Sequence, residues 1–141
     1  MNPWVVDTSV AFKWSRQEGE EEHIDQALAV LNDHLAGRLE IHAPDLLVYE
    51  LGNILSLKES AASQKPAVVL KNTLLLGMTI HPIDLPLAEA AFTIAREYRV
   101  TFYDASFLAL SRRLDCPLVT ADNKLYAKAR SFPKLTLLAH W

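Results

Sequence analysis

Trp4-Val5-Val6-Asp7-Thr8-Ser9 is a short apolar run that ends on an acid and two hydroxyls just as a helix-like stretch begins. Leu118-Val119-Thr120-Ala121-Asp122 repeats that arrangement late in the chain. A short apolar run bounded by polar punctuation reads as a buried strand. Working outward, β-like runs at 3–7, 40–43, 79–82, 117–120 and 135–138 alternate with helix-like stretches at 8–15, 20–36, 45–60, 67–77, 87–98, 104–114 and 123–130. Parallel strands need a crossover connection, so this alternation predicts an α/β sandwich around a parallel sheet. Gly37 and Gly77 stand where helices should stop, and Pro44, Pro66 and Pro86 stand near helix starts. No linker, repeat or low-complexity tract divides residues 1–141, so a single domain is expected, large enough for a core without disulfides or structural zinc.

Four acids occupy junctions of this pattern or lie on a helix: Asp7, Glu50, Asp104 after Thr101-Phe102-Tyr103, and Asp122. In an open parallel sheet ligands collect outside the carboxyl ends of the strands, where acids far apart in sequence can converge. Singly, Asp7, Asp104 and Asp122 have a plainer reading as helix N-caps. Glu50 is different, because it lies inside an otherwise apolar helix and shares a face with Leu46, Asn53 and Leu57. An acid and an amide there either face solvent or point into a polar site. Carboxylates brought together repel and raise one another's pKa, and a divalent cation reverses that penalty. All-oxygen ligands suit Mg²⁺ or Mn²⁺ rather than zinc, and such an ion is best used to hydrolyse a phosphate ester. The five histidines, His23, His34, His42, His81 and His140, are scattered and read as structural or surface residues.

Net charge is −3, unevenly spread: residues 1–95 hold 6 Lys+Arg against 13 Asp+Glu, and residues 96–141 hold 8 against 4. Arg112, Arg113, Lys124 and Lys128 lie near Asp104 and Asp122 in sequence and are candidates to hold a phosphate backbone; ordinary solvated helix faces are the alternative. Tyr103, Phe102 and Trp14 are the aromatics nearest the acids, with core packing as their plainer role. The single cysteine, Cys116, excludes an internal disulfide and a multi-cysteine zinc site. No apolar run approaches membrane-spanning length and no basic leader precedes Trp4, so a cytoplasmic protein without a membrane partner is expected. Surplus apolar surface over 45–60, with the Val- and Leu-rich 67–77 stretch, suggests either a helical hairpin that docks on a partner or two buried helices.

Val-Val-Asp7-Thr-Ser, then Pro44 with Glu50 and Asn53, then Tyr103-Asp104-Ala, then Leu-Val-Thr120-Ala-Asp122, in this order and at these separations, resemble the PIN domain. The resemblance is to the small VapC-type toxin ribonucleases of type II toxin–antitoxin pairs, and it covers the chain from Trp4 to about Leu138. It implies a three-layer α/β/α sandwich with a central parallel sheet and a metal-dependent endoribonuclease that leaves a 5′-phosphate and a 3′-hydroxyl. Asp7, Glu50, Asp104 and Asp122 match the acidic quartet that binds Mg²⁺ or Mn²⁺. Thr8 or Ser9 and Thr120 match flanking hydroxyl positions, and Asn53 matches a polar position one turn after the glutamate. An RNA substrate, a small antitoxin and a homodimer are the implied partners. The chain departs from many relatives in having Ala105, Ser106 and Phe107, rather than a further acid, after Asp104, which would weaken a second metal site.

Two rivals follow from the same residues. A catalytically idle PIN-like module acting through a protein or RNA partner would have a misplaced acid or bind no metal. A phosphotransfer enzyme or receiver with Asp7 as nucleophile would want an acid two residues later, where Ser9 stands.

Overall fold

The structure, a computed structural model, describes residues 2–57 and 65–141. In chain order these form β1 (Pro3–Val6), α1 (Thr8–Ala11), a 3-10 turn (Phe12–Ser15), α2 (Ile24–Leu35), β2 (Glu40–Pro44), α3 (Leu46–Leu57), α4 (Pro66–Leu74) and β3 (Thr79–His81). They continue through α5 (Leu85–Tyr98), α6 (Phe102–Leu114), β4 (Leu118–Thr120), α7 (Asn123–Lys128), β5 (Leu135–Leu137) and a last 3-10 turn (Leu138–His140). All strand pairs are parallel, in the order β3-β2-β1-β4-β5. The chain builds outward from β1 on one side, then crosses to β4 on the other. The crevice outside the carboxyl ends of β1 and β4 is thus the topological switch point where such sheets bind ligands.

Successive residues of a strand face opposite sides, and the central strands use both for core. Val5 and Leu118 pack with Leu87, Ala91 and Ile94 of α5 and Phe107 and Leu108 of α6. Their neighbours Val6 and Val119 pack with Val10 of α1 and with Ala27 and Val30 of α2. Helices therefore cover both faces, which gives the expected three layers. Phe12, Leu51, Leu55 and Val69 form a separate small core that joins α3 to α4, so these two helices do make a hairpin. Each fully buried Leu or Val side chain stabilises the fold by roughly 1.5–3 kcal/mol before entropy is counted.

The expected elements are present with shifted ends. The helix expected over 20–36 begins only at Ile24, because Gly19 at φ +92° and His23 at φ +58° turn the chain first. The 87–98 helix starts earlier, at Leu85, because Asp84 caps it by accepting the Leu87 N–H at 2.8 Å. The stretch 101–103 is the cap and first turn of α6 rather than a run leading into it, with Thr101 accepting the Asp104 N–H at 3.0 Å. Gly37 at φ +75° follows α2, where a left-handed residue ends a helix at no steric cost. The final residues of the 45–60 stretch, 58–60, lie outside the described residues.

Candidate active site

Asp7 leaves the end of β1 at the switch point and is 5 % exposed. It occupies the N-cap position of α1, yet its side chain makes no capping bond. Instead its Oδ2 accepts from Ser9 Oγ at 2.6 Å and from Thr120 Oγ1 at 2.8 Å. Each hydroxyl also accepts a backbone N–H, Ser9 from Ala121 at 3.0 Å and Thr120 from Asp122 at 3.0 Å. The exit of β1 is thereby stitched to the exit of β4 through one carboxylate. Thr8 Oγ1 donates to Glu50 Oε1 at 2.8 Å, which draws the half-buried acid of α3 toward the same crevice.

Asp104 projects from the first turn of α6, inside the helix rather than at its cap. Asp122 is the N-cap of α7, its Oδ1 accepting from the Lys124 and Leu125 N–H groups at 2.9 and 3.1 Å, while the other oxygen takes no part in the cap. The capping reading is therefore right for Asp122 and wrong for Asp7 and Asp104.

The electrostatics show convergence. Burial raises the Asp7 carboxyl, the Ser9 and Thr120 bonds offset part of this, and Asp122 raises it again. Glu50 is raised by burial and by Asp7 and Asp104, against the pull of Thr8. Asp104 is pushed up to about 6, by burial first and then by Asp7 and Asp122, with Thr101 and Lys128 opposing. Asp7, Glu50 and Asp104 are thus each raised by at least one other acid of the set, and Asp122 is among the acids that raise Asp7 and Asp104. None of them is in an ion pair among the described residues, although seven such pairs exist elsewhere. No histidine is among the groups that shift them. Among the described residues no three acids or histidines close into a ready-made coordination shell, so the cluster is open.

The other candidates divide. Asn53 is exposed on α3, one turn beyond Glu50. Lys124 and Lys128 are exposed on α7 without ion pairs, and the Lys128 charge reaches Asp104. Arg112 and Arg113 are corrected by their position: they end α6, roughly 12 Å along the helix axis from Asp104. Arg113 grips Asp84 with two bonds of 2.8 and 2.6 Å, and Arg112 lies over Phe132 at 4.9 Å from the ring centroid. Both are tied to the scaffold. Trp14 is also structural, donating its indole N–H to Ala27 O at 2.9 Å, whereas Phe102 and Tyr103 remain exposed.

Residues 4–131 match the PIN domain. The chain belongs to the PIN domain family. Within that family it is 28% identical to Ribonuclease VapC3 of Pyrobaculum aerophilum over 138 residues, covering 93% of this chain and 95% of the relative. Two solved structures share the fold. The crystal structure of PAE2754 from Pyrobaculum aerophilum superposes with a TM-score of 0.67 at 25% identity, over 99% of this chain and 85% of that one. VapBC2 from Rickettsia felis, bound to a DNA fragment from its promoter, gives 0.68 at 15% identity over 96% of each chain. In this PIN domain Asp7, Glu50, Asp104 and Asp122 line the switch-point crevice, and among the described residues no helix is long and apolar enough to cross a membrane.

Proposed function

We propose that this PIN domain is a metal-dependent endoribonuclease and the toxin of a type II toxin–antitoxin pair, working in the cytoplasm. The observation that carries the reading is three acids at the switch point, Asp7, Glu50 and Asp104, each raised by burial and by another acid of the set that includes Asp122, with no ion pair to any of the four among the described residues. Its support from relatives is the ribonuclease name of a protein aligned over nearly the whole chain. The donor set is all oxygen, and its open spacing suits a cation that keeps most of its water, as Mg²⁺ does, and Mn²⁺ by the same oxygen preference. Asp7, Asp104 and Asp122 would hold it directly or through water, with Glu50 completing the set. When bound, such an ion supplies a water of lowered pKa and neutralises charge on the scissile phosphate.

The protein's own part is orientation. Ser9 and Thr120 lock one oxygen of Asp7, and Thr8 locks one oxygen of Glu50, so neither carboxylate rotates freely. Lys124 and Lys128 hold the RNA backbone beside the acids, and Asn53 is open to the substrate on the α3 side. Attack of water on phosphorus breaks the bond to the 3′ oxygen and leaves a 5′-phosphate and a 3′-hydroxyl. The exposed Leu57, Val68, Leu74 and Leu75 of the α3–α4 hairpin and its margin suit an apolar antitoxin segment, and Leu85 and Phe92 on α5 suit a second copy in a homodimer.

One observation favours the rival module that binds without cutting: among the described residues no three acids close into a direct metal shell. Incubating a mixed RNA pool with purified protein and Mg²⁺ or Mn²⁺, against EDTA and Asp7→Asn controls, separates the two. Metal-dependent cutting lost in both controls is expected. A folded, metal-supplied protein that leaves the pool intact would favour the binding module.

A further inference from the structure

Beside the acids, α3, α6 and the start of α5 enclose a groove of about 270 Å³ that the proposed chemistry does not use. Its walls include Tyr49, Phe102 and Tyr103, with Leu87 among the apolar residues and Ser106 and Asp45 as polar ones. Tyr49 and Tyr103 are 72% and 61% exposed, an unusual state for two aromatics facing one groove. Tyr49 neighbours Glu50 on α3, and Phe102-Tyr103 neighbour Asp104 on α6, so the two helices that wall the groove also carry two of the acids. Lys124 and Lys128 are exposed on α7, and the Lys128 charge reaches Asp104. A nucleotide bound at the acids has these cations for its phosphate and the aromatic faces of α3 and α6 for its base.

From this we infer that the groove receives one unstacked base of single-stranded RNA next to the cleaved phosphate, and that the base is guanine. The inference rests on the ribonuclease reading and gives it a substrate class. Aromatic side chains accept splayed-out bases by stacking, which is how single-stranded RNA is held. Asp45 supplies the one carboxyl group of the lining. A carboxylate only accepts hydrogen bonds, through two oxygens side by side. Guanine alone presents two adjacent donors, N1–H and the 2-amino group, on its Watson–Crick edge. The other three bases set an acceptor beside each donor there and would meet the carboxylate with repulsion. Ser106 Oγ donates to Tyr103 O at 2.6 Å and so keeps its acceptor capacity toward the base.

The test measures binding and cleavage separately. Short fluorescent oligoribonucleotides carrying a single G, A, C or U are titrated in EDTA, where nothing is cut, with wild type, Tyr49→Ala, Tyr103→Ala, Tyr103→Phe and Asp45→Asn. Expected are tightest binding of the G oligomer and a loss on the order of tenfold for each Tyr→Ala change. Tyr103→Phe should retain stacking, and Asp45→Asn should erase the preference for G while leaving general binding. With metal, wild type should cut next to G, and Asp45→Asn should lose that choice of position. Equal binding of all four oligomers, or indifference to both Tyr→Ala changes, overturns the inference. So does a Tyr→Ala change that splits a dimer in sedimentation without altering RNA binding, which would give the groove to a second copy. A wild type that cuts no RNA with metal present fails the ribonuclease reading, a result distinct from cutting that ignores the groove.

Discussion

Thr120 shows how much one side chain does here. It is fully buried, yet it donates to Asp7 and accepts from the Asp122 N–H, so it holds two of the four acids in register. Thr120→Val keeps the volume and removes both bonds. Losing such an orienting partner costs on the order of 10- to 100-fold in metal affinity or activity, to be read from metal-dependent cleavage rates; an unchanged rate would remove Thr120 from the machinery. The acids also set a pH dependence. Asp104 titrates near 6 in the folded chain against 3.8 when unfolded, so between those values the folded state binds more protons. Metal-free stability from this group is greatest below about 4 and falls as pH rises through about 6. Asp7 and Glu50, raised in the same direction, act with the same sign. His81, held low by burial, His42 and Arg113, acts oppositely as pH drops below the ordinary histidine value of 6.5. The clean comparison is therefore thermal unfolding in EDTA of wild type against Asp104→Asn at pH 5 and 7. The variant should gain relative to wild type at pH 7 and roughly half as much at pH 5, midway through the window; an equal gain at both would contradict the shift.

The helices divide into those that build the site and those that hold it. The cap acid and two exposed lysines of α7 lie on a single short element, so it brings an acid and two cations close together. Lys124→Ala and Lys128→Ala should each weaken RNA binding about equally for all sequences and lower the salt slope by roughly 0.7. Arg112→Ala, at the far end of α6, should leave that slope unchanged when binding is titrated against salt. Sequence proximity could not make this distinction. Arg112 and Arg113 are as near Asp104 in the chain as helical residues often are, but helical rise carries them away from it, and Arg113 finds Asp84 on α5. The parallel sheet covered on both faces, by contrast, was legible from alternation, and Val5, Val6, Leu118 and Val119 are indeed buried under helices on both sides. Helix starts at Leu85 and Phe102 were obscured because Asp84 and Thr101, ordinary polar residues in sequence, proved to be caps. The four acids were legible as a set because topology, not local context, gives them a common place. The hydroxyls Ser9 and Thr120 were named as neighbours of the acids, but the bond from the Ala121 N–H to Ser9, across 112 positions, was not legible in the chain.

For the molecule as a whole, the acidic crevice is a place where stability is exchanged for function. Asp7 is 5 % exposed, its carboxyl is raised by burial and by Asp122 against the Ser9 and Thr120 bonds, and no cation pairs with it among the described residues, so its ionised form is disfavoured in the metal-free fold. Asn at this position can still accept from Ser9 and Thr120 while removing the charge. Asp7→Asn should therefore stabilise the metal-free protein, by about 1 kcal/mol, in line with other relieved functional sites. Metal should act in reverse on the two proteins. A ligand that binds only the folded state adds about 2.7 kcal/mol at one hundred times its Kd, roughly 10 °C in midpoint for a chain of this size. Wild type should rise by that order when Mg²⁺ or Mn²⁺ is titrated into thermal unfolding, and Asp7→Asn should barely respond. The two curves would cross: the variant higher in EDTA, wild type higher in saturating metal. A variant that is destabilised without metal would mean that the Asp7 charge is satisfied by the fold itself, and the need for a cation, with the nuclease chemistry built on it, would lose its physical basis.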